Sequence, residues 1–225
     1  MIAYSQRDAR WRGVKLGTGA ETIGQAGCLL CCAAAVLSAY PAPGTPGGWP
    51  LRPDELNREL VARGGFTSGN LFVFGALRAW GVNPIRIADC QTTPAPMDLI
   101  ARARGAGDQV VVLVDFGPGG KVDQHWVCVV DPEASVIMDP WQPSGREFVP
   151  LARYLAPGWD AARGIFRVVV YRPVLDHEEH HEEDHEGAKA TRSAEARRVV
   201  GARRAVPSDG AHQDEVALWR RPGAG

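Results

Sequence analysis

The chain has 225 residues, with 25 Lys and Arg against 26 Asp and Glu and a formal net charge of −1 with histidine neutral. That balance provides no bulk field to attract nucleic acid or an anionic membrane surface, and no run reaches the roughly 18 consecutive apolar residues of a membrane span. Five cysteines, three of them crowded at positions 28, 31 and 32, do not form the spread pattern of a disulfide scaffold, so reduced thiols are expected.

Taken in chain order, residues 1–8 lack a basic stretch followed by an apolar one, so no secretory signal is read and synthesis in the cytoplasm is expected. Residues 28–40 read as a helix that is apolar nearly all round, hence buried. A Gly/Pro loop fills 41–50. Pro53, Asp54 and Glu55 open a second helix, with proline in its first turn and acids at its positive end. It runs to about residue 62 and stops at Gly64 and Gly65. Asn70 is expected to cap a third helix over 71–80, closed by Gly81. Residues 96–104 suggest a fourth. The period then changes. Segments 110–114, 126–130, 135–138 and 166–171 are short, rich in β-branched residues and bounded by turns, so they read as strands. Helices first and a mostly antiparallel sheet afterwards predict an α+β domain over 1–175.

From Asp176 the composition breaks. Residues 176–186 are almost entirely acids and histidine, and a stretch follows with Arg192, Arg197, Arg198, Arg203 and Arg204. Such a segment has too little apolar surface to offset its ordering entropy alone, so 176–225 is expected to be disordered or to order against a protein partner. Leu218, Trp219 and Arg220 are the candidate docking peptide. The His/Glu tract at 177–186 reads as a solvated acidic spacer rather than a metal site.

The chemistry concentrates where Gly27 meets Cys28. A thiol at a helix N-terminus faces unpaired N–H groups and the positive end of the helix dipole, both of which favour a thiolate. His125, at the start of a strand, is the candidate base. Asp139 is the candidate carboxylate that orients it, ahead of Asp131, which precedes Pro132, and Asp123, which lies too close along the chain. The developing oxyanion would be met by the Cys28 N–H and a side-chain amide, with Gln6 and Gln25 both candidates. Cys28 alone would pass for a core cysteine; its weight comes from these partners. Cys28 and Cys31 match a C-x-x-C redox spacing without the βαβ setting that motif needs, and Cys31, Cys32, Cys90 and Cys128 read as structural. Their apolar runs lack the paired spacings of a zinc site. No metal or cofactor is expected.

Four ordered motifs carry a family resemblance: Tyr4-Ser5-Gln6-Arg7-Asp8-Ala9-Arg10-Trp11, Thr22-Ile23-Gly24-Gln25-Ala26-Gly27-Cys28, His125-Trp126-Val127, and Met138-Asp139-Pro140-Trp141. Over residues 4–172 the chain resembles the C39-like group of papain-type cysteine peptidases, the set related to bacteriocin-leader (double-glycine) peptidases. The resemblance implies a papain-like fold, with Cys28 as nucleophile, His125 as base, Asp139 as orienter and Gln6 as oxyanion donor. The family glutamine often lies only a few residues before the cysteine, whereas Gln6 is far upstream and Gln25 is near. It further implies an amide hydrolase acting on a peptide or protein, a cell-wall cross-link included, in a stand-alone bacterial protein or a phage particle. Wall access would then need lysis, a particle or a non-classical export route. The alternative is a catalytically silent papain-like domain serving as an adaptor in a larger assembly.

Overall fold

The computed structural model describes residues 1–40, 49–118 and 122–174. Residues 41–48 of the proposed 41–50 loop and the whole 176–225 extension lie outside the described residues. In chain order the elements are α1 (Ile23–Ala26), α2 (Cys28–Ser38), α3 (Pro53–Ala62), a 3-10 helix (Phe74–Trp80), β1 (Val82–Asp89), α4 (Met97–Gly105), β2 (Gln109–Asp115), β3 (Gln124–Asp131), β4 (Val136–Met138), β5 (Phe148–Pro150), a second 3-10 turn (Leu151–Tyr154), α5 (Ala161–Gly164) and β6 (Ile165–Pro173). Helices gather at the front of the chain and the strands form one antiparallel sheet in the order β1-β6-β2-β3-β4-β5. The domain is α+β.

Strand β2 is buried at every position because the sheet is covered on both faces, which is why its sequence is a continuous apolar run rather than an alternation. Val111 and Leu113 join Trp126, Cys128, Val169 and Tyr171 on the face toward α2. Val110, Val112 and Val114 join Val127, Val129, Val168 and Val170 on the opposite face, with Ile100 and Ala103 of α4. Helix α2 is buried from Cys28 to Leu37, packed on β3 behind and on α3 and the first 3-10 helix in front. Each fully buried leucine there contributes about 1.5–3 kcal/mol. That central rod fixes where its N-terminus, and hence Cys28, stands against the sheet.

One expectation is corrected, and one element was not foreseen. Asn70 does not cap a helix: it sits in left-handed conformation with φ 59°, and the helical turn begins only at Phe74 and is 3-10. Its short polar side chain tolerates that backbone and is used elsewhere. The other departure is β1, which the sequence reading left unassigned. It pairs only with β6, so it is an edge strand, half exposed and carrying Pro84 at a register shift.

Candidate active site

Gly27 is the joint between α1 and α2, and its lack of a side chain is what lets the two helices meet. A Cβ there would lie 2.5 Å from the Ile23 carbonyl oxygen and 2.7 Å from Ile23 Cγ2. The close turn delivers Cys28 as the first residue of α2, buried but at the wall of a cleft. Its backbone N–H has no backbone acceptor among the described residues, as expected for the first turn of a helix.

His125 opens β3 and projects its ring toward Asp139, which follows β4. His125 Nε2 donates to Asp139 Oδ1 at 2.7 Å. The Cys28 thiol is close enough to the ring to favour its protonated form. Since Nε2 is committed to Asp139, Nδ1 is the nitrogen left for the thiol. Burial alone pushes the imidazole pKa down, but the bond to Asp139 and then the Cys28 contact outweigh it, and the group is pushed up to about 9.

Asp139 is fully buried and every lone-pair direction is used. Oδ1 also accepts from the Trp141 N–H at 2.9 Å, and Oδ2 accepts from Gln142 Nε2 at 2.6 Å and from the Tyr154 hydroxyl at 2.5 Å. Burial would raise its pKa, yet the bonds from His125, Tyr154 and Gln142 hold it below the ordinary carboxylate value. Burial, followed by the carboxylate beside it, raises Tyr154, which therefore stays a neutral donor. Asp131 is spent on the turn at Glu133 and Ala134, and Asp123 contributes backbone bonds to the neighbouring hairpin. Of the three acids weighed from the sequence, the histidine pairs with Asp139.

The N-terminal segment is stitched to the Asp139 loop. Ser5 Oγ donates to the Gln142 carbonyl at 2.5 Å, and the Gln6 N–H donates to the Pro140 carbonyl at 2.8 Å. Trp11 Nε1 anchors the segment from beneath by donating to the Ser5 carbonyl at 2.7 Å. Gln6 is thereby buried next to α1, its Nε2 donating to the Gly24 carbonyl at 3.1 Å, and its Oε1 has no partner among the described residues. One amide hydrogen of Gln6 stays uncommitted. Gln25 is exposed, and its Oε1 accepts from the Thr22 N–H at 2.9 Å, capping α1. The two glutamines flagged by the sequence are thus separated: Gln6 is built into the site and Gln25 into the helix turn.

Cys28 opens into an apolar cleft of about 240 Å³, walled by Leu16, Leu29, Phe66, Phe72 and Trp126. Two asparagines fix the loop that forms its outer wall. Asn57 Oδ1 accepts from the Gly17 N–H at 2.8 Å and its Nδ2 donates to the Lys15 carbonyl; Asn70 Oδ1 accepts from the Thr18 N–H at 2.8 Å and its Nδ2 donates to the Leu16 carbonyl. Sequence reasoning missed Tyr154, Gln142, Asn57 and Asn70. Gln142 reaches Asp139 locally, three residues along the chain, whereas only the tertiary fold brings Tyr154, Asn57 and Asn70 into place.

All five cysteines are free; Cys31, Cys32 and Cys128 are core residues behind Cys28. Among the described residues no group of three or more His, Cys, Asp or Glu converges as metal ligands. No helix of the described residues is long and apolar enough to cross a membrane. No protein-family model, no curated protein and no solved structure matches this chain.

Proposed function

We propose that this chain is a thiol-dependent hydrolase of amide bonds in peptides, with a papain-like fold of the C39-like kind. One observation carries the reading: the His125 ring is bonded through Nε2 to the buried Asp139 carboxylate, and the nearby Cys28 adds to the rise of its pKa. An imidazole raised to about 9 by those neighbours is an imidazolium at neutral pH, the form that pairs with a thiolate.

In the proposed reaction the Cys28 sulfur attacks the substrate carbonyl and forms a C–S bond. The carbonyl oxygen takes the negative charge, facing the free Cys28 N–H and the uncommitted Gln6 amide hydrogen. His125 gives its Nδ1 proton to the departing nitrogen as the C–N bond breaks. Water then attacks the thioester, His125 takes its proton, and the acid leaves with Cys28 restored as the thiolate. Asp139 stays ionised throughout and holds the ring in register. The apolar cleft beside Cys28 suits an uncharged, bulky side chain on the acyl part of the substrate.

Incubation of a peptide library with wild type and Cys28→Ser, read by mass spectrometry, tests this. Cleavage by wild type alone, at bonds preceded by apolar residues, is expected. No cleavage, together with iodoacetamide alkylation of Cys28 no faster than that of Cys90, would leave a domain that serves as an adaptor.

A further inference from the structure

The α1 turn contributes to two recesses of unlike character. Ala26 lines the apolar cleft. Gly24 and Gln25 line an open hollow of about 390 Å³, together with Arg7, Arg12, Gly13 and Thr22. Arg7 and Arg12 have no carboxylate partner among the described residues. Their neighbour Arg10 is instead engaged by Asp8, which also accepts from Ser144. The single acid lining either recess, Glu21, belongs to the apolar side. Two guanidinium groups therefore share one recess that no acid of the described residues lines.

Arg7 is also held in place. Its guanidinium lies over the Trp141 ring, 5.1 Å from the centroid, a stacking that limits its rotamers before any ligand arrives. The same Trp141 packs on Phe116, with centroids 5.1 Å apart, and Phe116 packs on His125 at 5.3 Å. In the proposed reaction His125 hands its proton to the departing nitrogen. His125 is thus linked through Phe116 and Trp141 to the Arg7 guanidinium, and Arg7 shares its hollow with Gly24 and Arg12. The recess that holds Arg7 and Arg12 is basic and the one beside Cys28 is apolar.

We infer that the Arg7–Arg12 hollow binds a carboxylate of the substrate just downstream of the bond that is cut, which makes the substrate an acidic peptide with an apolar residue before the bond. The inference rests on the hydrolase reading for its direction, whereas the anion site itself stands on the two arginines. Guanidinium is suited to this role because its donors form a planar fork that matches a carboxylate.

Two measurements test it. The same sulfur attacks the methylene carbon of iodoacetate or iodoacetamide and expels the same iodide, and the two reagents differ by one charge at the end of a short arm. At low ionic strength, where the Debye length is about 30 Å, the iodoacetate-to-iodoacetamide rate ratio at Cys28 is expected to fall about threefold in Arg7→Gln/Arg12→Gln. Arg10→Gln, whose charge is already paired with Asp8, should move it less, and the loss should shrink at high salt. The second measurement compares peptides differing only by Glu or Gln downstream of the cleaved bond. Wild type should prefer Glu about fivefold in kcat/KM, and the double variant should lose that preference. A rate ratio unmoved by the double variant, or equal cleavage of the Glu and Gln peptides, overturns the anion site. If wild type cleaves no peptide, the hydrolase reading fails on its own, and the alkylation ratio still decides whether the hollow is an anion site.

Discussion

Tyr154 and His125 hold the two oxygens of the same carboxylate: His125 Nε2 binds Asp139 Oδ1 at 2.7 Å, and the Tyr154 hydroxyl binds Oδ2 at 2.5 Å. Each donor lowers the basicity that the carboxylate can offer to the other, so Tyr154 limits how strongly Asp139 retains the imidazolium. Tyr154→Phe removes one donor from a buried charge and should cost about 1–3 kcal/mol of stability, read from urea unfolding. Under the proposed reaction it should also move the alkaline limb of hydrolysis to higher pH. A purely structural tyrosine would lower stability and leave that limb in place.

Asp139→Asn keeps the shape and removes the charge. An amide in that position no longer stabilises the imidazolium, and peptide hydrolysis is expected to fall about a hundredfold. Asp123→Asn and Asp131→Asn, whose carboxylates lie outside the histidine pair, should stay within a few-fold of wild type. Equal losses at all three positions, measured as kcat/KM, would remove Asp139 from its role.

The pH dependence of folding follows from the same pair. His125 is raised from an ordinary 6.5 to about 9, so the folded state binds its proton more tightly than the unfolded chain does. The stability this contributes is fully present below pH 6.5 and is lost as pH rises through about 9. Asp139 is shifted the other way, so its contribution is present above the ordinary carboxylate range and is lost in acid. Unfolding free energy should decline between pH 6.5 and 9 in wild type, and the decline attributable to this pair should be missing in His125→Gln. An unchanged slope in the variant would contradict the shift.

The parts of the molecule most legible in the sequence are those whose burial is one-dimensional. Residues 28–37 form a helix with no polar face because α2 is enclosed on all sides, and 110–114 form an unbroken apolar strand because β2 is covered on both faces. Edge strand β1 hid behind Asn83, Pro84 and Arg86, residues that an outer strand accommodates and an inner one does not. The site divided the same way. Cys28, His125 and Asp139 could be proposed because the chemistry requires those types together. Gln6 and Gln25 were both open by residue type, with the resemblance implying Gln6; burial and the Thr22 bond now distinguish their surroundings. Tyr154 carries no signal in one dimension, since its contact with Asp139 depends on where the turn after β5 docks.

Gly27 makes a sharper test of how Cys28 is presented. In Gly27→Ala the new Cβ would meet the Ile23 carbonyl at 2.5 Å, so α1 must move away from α2. A loss of about 1–3 kcal/mol is expected from overpacking at a buried joint. The displacement acts on the residue before Cys28, so the iodoacetamide rate at Cys28 should also drop while that at Cys90 stays constant. Ala26→Gly, on the half-exposed neighbour, is the control that should leave the Cys28 rate near wild type.

Asn70 tests whether the outer wall of the cleft shapes substrate binding. Its side chain ties Thr18 and Leu16, and the glycine between them permits the contact: a Cβ on Gly17, whose φ is +55°, would fall 2.1 Å from Asn70 Oδ1. Asn70→Ala leaves the Thr18 N–H and the Leu16 carbonyl without that partner, and releases the loop that carries Leu16 into the cleft. Stability should fall by about 1–2 kcal/mol. Because Cys28, His125 and Asp139 are untouched, KM for a peptide with an apolar residue before the cut should rise several-fold while kcat changes little. A drop in kcat at constant KM would place the asparagine's influence on the reacting groups instead of on the cleft wall.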